Sequence, residues 1–141
     1  MARRIFSEVV IDAPAATVWA VLTDFAAHAD WDPFLVSVQG EPTVGARLTV
    51  RFKQGMTFRP HVTEARPGQV LEWLGRLGIA GLFDGRHRFE LREEDAGRTR
   101  LVHSETFTGL LVPFFGGSLD ETERGFSAFN AAIKARAERA S

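Results

Sequence analysis

No cysteine occurs in the 141 residues, so disulfides, thiolate nucleophiles and cysteine metal sites are excluded, and the redox compartment stays open. Tyrosine is missing as well, beside 12 phenylalanines and 3 tryptophans, so no phenol is present for proton transfer or hydrogen bonding. Neither sign of charge is in excess. The formal net charge is -1, and arginines are interleaved with acids, which argues against a phosphate-backbone binder; no nucleic-acid partner is expected. No repeat, low-complexity segment or linker interrupts residues 1–141, a length suited to one domain with a real core. Ala2-Arg3-Arg4 is followed by Ile5-Phe6-Ser7-Glu8, whose acid interrupts any apolar h-region. A cytoplasmic protein with no membrane span is therefore expected.

What is present is organised around the last stretch, Ser118 to Arg139, which reads as one amphipathic helix. Ser118-Leu119-Asp120-Glu121 has the form of a capping box. Acids crowd the first turns at Asp120, Glu121 and Glu123, and bases the end at Lys134, Arg136 and Arg139, which suits the helix dipole. Leu119, Thr122, Phe126, Phe129 and Ile133 fall three or four apart and define one apolar stripe. At roughly 33 Å long, such a helix needs a sheet to lie on. Gly125, inside it, costs about 1 kcal/mol against alanine and marks a close approach or a bend.

Most of the preceding chain alternates as strands do. Arg4 to Ile11 reads as a first strand stopped by Asp12-Ala13-Pro14, and Val18, Trp19, Leu22 and Phe25 give a short helix with a proline in its first turn. A second short helix or turn runs through His28, and Trp31-Asp32-Pro33-Phe34 is an extended aromatic corner. Strands are then expected at Leu35 to Val38, Ala46 to Lys53, 57 to 65, Val70 to Leu77, Phe83 to Glu93 and Arg98 to Thr108. Pro67-Gly68 suits a type II turn, and Asp95-Ala96-Gly97 a three-residue hairpin loop. Two segments, Gly78 to Leu82 and Leu110 to Phe115, are too apolar for plain surface loops and are expected side by side at a cavity mouth. The order predicts an α+β domain: a curved seven-stranded antiparallel sheet, first strand beside last, wrapped on the long C-terminal helix, with two short helices between strands one and two.

Ile11-Asp12-Ala13-Pro14 with Val18-Trp19, Asp24, Trp31-Asp32-Pro33-Phe34, Pro67-Gly68 before Leu71-Glu72-Trp73, and the closing helix together resemble the START-like helix-grip superfamily (SRPBCC). The chain is most similar to its polyketide cyclase/dehydrase-like branch, which includes plant pollen-allergen-type binding proteins. The resemblance runs from Ile5 to Arg136 and implies a helix-grip fold; the superfamily holds both binders and enzymes.

The sharpest chemical signal comes from pairing across the last hairpin. Leu91 then faces Leu101, Phe89 faces His103 and His87 faces Glu105, which puts polar side chains on an inner, apolar face. A carboxylate there has its charge disfavoured by desolvation and restored by an imidazolium, so His87 and Glu105 titrate as a unit and form a candidate acid–base pair. The same pair also reads as structural or ligand-orienting. Phe52, Phe58, Trp73, Phe89 and Phe107 on the sheet, with Phe126 and Phe129 on the helix, either fill a core or line a pocket. His87, His103 and Glu105 on the same face favour the pocket, because a filled core rarely tolerates them. His28-Ala29-Asp30-Trp31-Asp32 offers ligand types without a well-spaced third histidine, so no metal is assigned. Gly75, Gly78 and Gly81 open no helix and make no phosphate cradle, and no serine elbow occurs. No cofactor is expected.

Three functions follow from these readings. The leading one is carriage or sensing of a small hydrophobic ligand between sheet and helix. An alternative is a cyclase, aromatase or dehydratase acting on a polyketide-like or other carbonyl substrate with His87 or Glu105 as general base. The third is a chaperone-cofactor-like interaction module using the outer sheet face. A monomer or a homodimer is expected.

Overall fold

The computed structural model describes residues 2–53, 55–76, 81–95, 97–110 and 112–140, with only the backbone described for 114–119. β1 (Ala2–Ile11) leads to α1 (Ala15–Thr23), a 3-10 turn (Phe25–Ala27) and the one-turn α2 (His28–Trp31). Then come β2 (Leu35–Gln39), β3 (Thr49–Phe52), β4 (Thr57–Phe58), β5 (His61–Arg66), β6 (Val70–Arg76), β7 (Asp84–Asp95) and β8 (Arg98–Thr108). A second 3-10 turn (Val112–Phe115) opens α3 (Gly116–Ala140). No described helix is long and apolar enough to cross a membrane.

The architecture is α+β and antiparallel, but the expected seven-stranded sheet is corrected to a five-stranded sheet, β1-β8-β7-β6-β5, and a three-stranded one, β2-β3-β4. Residues 57–65 are not one strand. Pro60 has no amide to donate to a ladder, and the chain breaks there into β4 and β5. The two sheets meet at a seam: an Arg47–His61 bridge, with the Leu48 amide donating to Pro60 O and the Val62 amide to Ala46 O, each at 2.8 Å. β1 pairs with β8 over its whole length, as expected, from Ala2 opposite Thr108 to Ile11 opposite Thr99.

α3 lies against β1, β8, α1 and α2. Its inner stripe is Phe126, Phe129, Asn130, Ile133 and Ala137, all buried, the spacing a helix needs to keep one side on a sheet. The helix begins at Gly116, ahead of the expected start at Ser118, whose side chain lies outside the described residues. Asp120, Glu121 and Glu123 therefore sit in the second turn, beyond the main pull of the dipole, and Asp120 is paired with Arg3. Close approach explains Gly125: a Cβ there would collide with the Phe34 ring.

Other local expectations divide. Gly68 has φ +74° and the Gln69 amide donates to Arg66 O at 2.9 Å, as a type II turn requires. Pro14 stands one residue ahead of α1 and accepts from the Thr17 and Val18 amides. Trp31 ends α2 rather than starting an extended corner. The β7–β8 turn is tighter than expected, because Asp95 pairs with Arg98 after a bulge beyond Glu93; the inner register is untouched. Of the apolar loop, 77–80 lie outside the described residues. Gly81 O accepts from the Leu110 amide at 3.1 Å, so the described parts of the two apolar segments are neighbours.

Candidate functional site

Between the sheets and α3 lies a cavity of about 480 Å³. Every side chain expected from the sequence to line a pocket borders it. Phe52 and Phe58 come from the small sheet, Trp73, Phe89 and Phe107 from the large one, and Phe126 and Phe129 from α3. His87, His103 and Glu105 complete the set. The parity follows from β7 and β8 being antiparallel with alternate residues inward, so His87 is paired with Glu105 and Phe89 with His103.

The polar groups are joined. His87 Nδ1 lies 3.1 Å from Glu105 Oε1, and His87 Nε2 lies 2.6 Å from His103 Nε2. His103 Nδ1 is 3.1 Å from Asn130 Oδ1, and Asn130 Nδ2 donates to Ser7 Oγ at 2.8 Å. The side chains of His87 and Glu105 keep 16% and 17% of their surface open, so the pair is reachable from the cavity. His103 is buried, stacked between Phe89 at 4.7 Å and Phe126 at 3.9 Å between ring centres. Burial first, and then the neighbouring His87, push its imidazole well below the ordinary histidine range, and the bond to Asn130 recovers only part. Trp73 stacks on His87, its ring centre 5.3 Å away. Gly85 makes room for the carboxylate: a Cβ there would stand 2.8 Å from Glu105 Oε2.

The sequence profile of the family described as polyketide cyclase/dehydrase and lipid transport matches residues 3–139. The chain belongs to this family. Its fold is START-like, and solved structures share it. The Zhui aromatase/cyclase from Streptomyces sp. R1128 is 26% identical, with TM-score 0.76 over 99% of this chain and 95% of its own. A START superfamily protein from Mycobacterium smegmatis is 19% identical, with TM-score 0.74 over 98% and 99%. A norcoclaurine synthase point mutant from Thalictrum flavum, in complex with a transition-state analogue, is 16% identical, with TM-score 0.73 over 100% and 98%. No curated protein matches the sequence.

In this member of the polyketide cyclase/dehydrase family two further polar candidates, His28 and Asp32, have structural partners, and Asp30 is exposed. His28 is buried, with Nε2 2.8 Å from Leu22 O and Nδ1 2.9 Å from Asp32. Asp32 also accepts the Phe34 and Leu35 amides, so the two residues tie the end of α2 to β2. Among the described residues no cluster suits a metal ion. On the outer face, Glu72 is held by Arg86, Arg88 and Thr63. Burial alone would push its carboxyl up, but those bonds together bring it below the usual range.

Four residues of the site were not anticipated. Asn130 follows Phe126 by one helical turn and so shares its face. Ser7 sits opposite His103 in the β1–β8 register. Each was legible once the pairing was drawn. Phe34 over Gly125 and the cradle at Gly85 had no local signal, because both depend on elements far apart in the chain.

Proposed function

We propose that the protein binds a small hydrophobic molecule, lipid- or polyketide-like, between sheet and α3, with its polar end against Glu105 and His87. One observation carries this reading: an aromatic-walled cavity into which the joined Glu105 and His87 side chains reach, with Lys53, Arg76 and Glu121 also on its border. Pockets for small molecules have that make-up and span roughly 300–1,000 Å³, a range that includes this one. Phe52, Phe58 and Phe107 offer the apolar wall, and Glu105 with His87 offers orientation. Native mass spectrometry of the purified protein, followed by extraction, tests it. A co-purifying apolar compound is the expected result; an empty protein that also takes up no apolar aromatic probe removes the proposal.

A second reading is favoured by the reach of the Glu105–His87 pair into the cavity: acid–base work on a carbonyl substrate, as in a cyclase, aromatase or dehydratase. Turnover of a polyketide analogue that is lost in His87→Ala would select it. The third reading, docking on the outer sheet face, is weakened by Arg86, Arg88 and Arg92 being paired there with Glu64, Glu72 and Glu90.

A further inference from the structure

Four hydrogen bonds run in single file from the cavity wall to the first strand: Glu105, His87, His103, Asn130, Ser7. Each bond needs one donor and one acceptor, so the direction set at one end propagates to the other. At the far end the Asn130 amide donates through Nδ2 to Ser7, which leaves Oδ1 facing His103 Nδ1. An amide oxygen only accepts, so His103 carries its proton on Nδ1. Buried between two phenylalanines, His103 is neutral, and its Nε2 is a bare acceptor. His87 Nε2, across the 2.6 Å contact, must then be the N–H. His87 Nδ1 faces Glu105 Oε1 at 3.1 Å; a carboxylate there only accepts, whereas a protonated carboxyl would donate and leave that nitrogen bare. With Glu105 as the carboxylate, both ring nitrogens of His87 donate.

We propose that Ser7 and Asn130 are positioning residues that hold His87 as an imidazolium paired with Glu105, and that the ligand's polar end is a hydroxyl donating to Glu105 Oε2. The second half rests on the binding reading above. Two observations support the charge state. The pair is neutral overall, so the aromatic wall around it holds no unbalanced charge, and the Trp73 face stacked on His87 attracts a cation. The reverse direction, with the Asn130 amide turned over, would leave His87 neutral and Glu105 as a lone carboxylate. Glu105 Oε2 makes no hydrogen bond among the described residues and is not sealed in, which makes it the acceptor on offer. At Glu105 a ligand ending in carboxylate or phosphate would meet like charge and be drawn instead to Lys53 or Arg76 on the cavity's border; an alcohol, phenol or enol would satisfy Oε2.

Histidine 15N NMR of the unliganded protein near neutral pH tests the first half. The expected pattern is His103 protonated on Nδ1 and bare on Nε2, with His87 protonated on both nitrogens. A His103 proton on Nε2, or a bare nitrogen on His87, overturns it. Asn130→Leu should release the direction and strip one proton from His87; an unchanged pattern in that variant also overturns the assignment. Should Asn130→Leu not fold, Ser7→Ala, which frees the amide to turn, serves the same comparison. Calorimetry with 2-naphthol, 2-naphthoate and naphthalene tests the second half. The naphthol should bind about tenfold or more tighter than the naphthoate, and Glu105→Gln should erase the difference. Equal binding of naphthoate overturns the hydroxyl assignment, whereas failure of all three probes is the failure of the binding reading itself and leaves the NMR result to stand or fall separately.

Discussion

Gly85 and Glu105 share one space: the carboxylate occupies the room that a side chain at Gly85 would need, with Oε2 2.8 Å from the absent Cβ. The obstacle is the end of a flexible side chain, so Gly85→Ala should fold and displace the carboxylate from His87. Loss of a charge-assisted bond of about 1.5–3 kcal/mol predicts a drop in affinity for a hydroxylated probe of about tenfold or more. Calorimetry checks this; unchanged affinity would mean that Glu105 does not orient the ligand.

Gly125→Ala sets two effects against each other. The helix gains about 1 kcal/mol in propensity, but the new methyl collides with Phe34, and overpacking costs about 1–3 kcal/mol. A net loss of stability is expected, reversed in Gly125→Ala with Phe34→Ala. Thermal melts of the four proteins in the cycle decide it, and a stabilised single variant would show that the ring is free to move away.

His103 makes the fold acid-sensitive. Its imidazole is held well below the ordinary range by burial and by His87, with Glu105 beyond His87 and Asn130 on the helix side. In the unfolded chain it titrates near about 6.5. A group depressed in the fold adds stability above that value and loses it as pH falls, by up to about 1.4 kcal/mol per unit. Between about pH 7 and about pH 5.5, urea unfolding should show the native protein losing about 1 kcal/mol more than His103→Phe. Parallel losses in the two proteins would contradict the burial account.

Glu72 and Glu64 sit in the same ion-pair ladder at different depths, with side chains 10% and 33% exposed. Glu72→Gln leaves Arg86 and Arg88 poorly partnered and should cost about 1–3 kcal/mol, while Glu64→Gln should cost under about 1 kcal/mol. Chemical denaturation ranks them. A larger effect at Glu64 would mean that burial does not set the worth of these bonds.

How much of this was legible depends on how local each signal is. His87 opposite Glu105 followed from alternation and one turn, and a bulge beyond Glu93 did not disturb it because the inner register is set by the longer run of paired residues. The break at Pro60 was readable from the missing amide, yet the apolar alternation of Phe58, Pro60 and Val62 masked it. The start of α3 was misplaced because Ser118 to Glu121 carries a strong capping pattern, whereas Gly116 and Gly117 carry none. Phe34 reaching Gly125 has no signature in either stretch, since it exists only when β2 and α3 are already packed.

The pairing of the first strand with the last has a consequence for synthesis. β1 has one neighbour in the sheet, β8, so a nascent chain carries Ala2–Ile11 as an unpaired edge until Arg98–Thr108 has left the ribosome. Ser7 and Asn130 are 123 positions apart, and contacts of such separation close late. The hydrogen-bonded file behind the cavity is therefore among the last parts to assemble. Until then β1 is the segment most open to capture by another chain, and a chaperone shielding that one strand would protect the protein during its longest vulnerable interval.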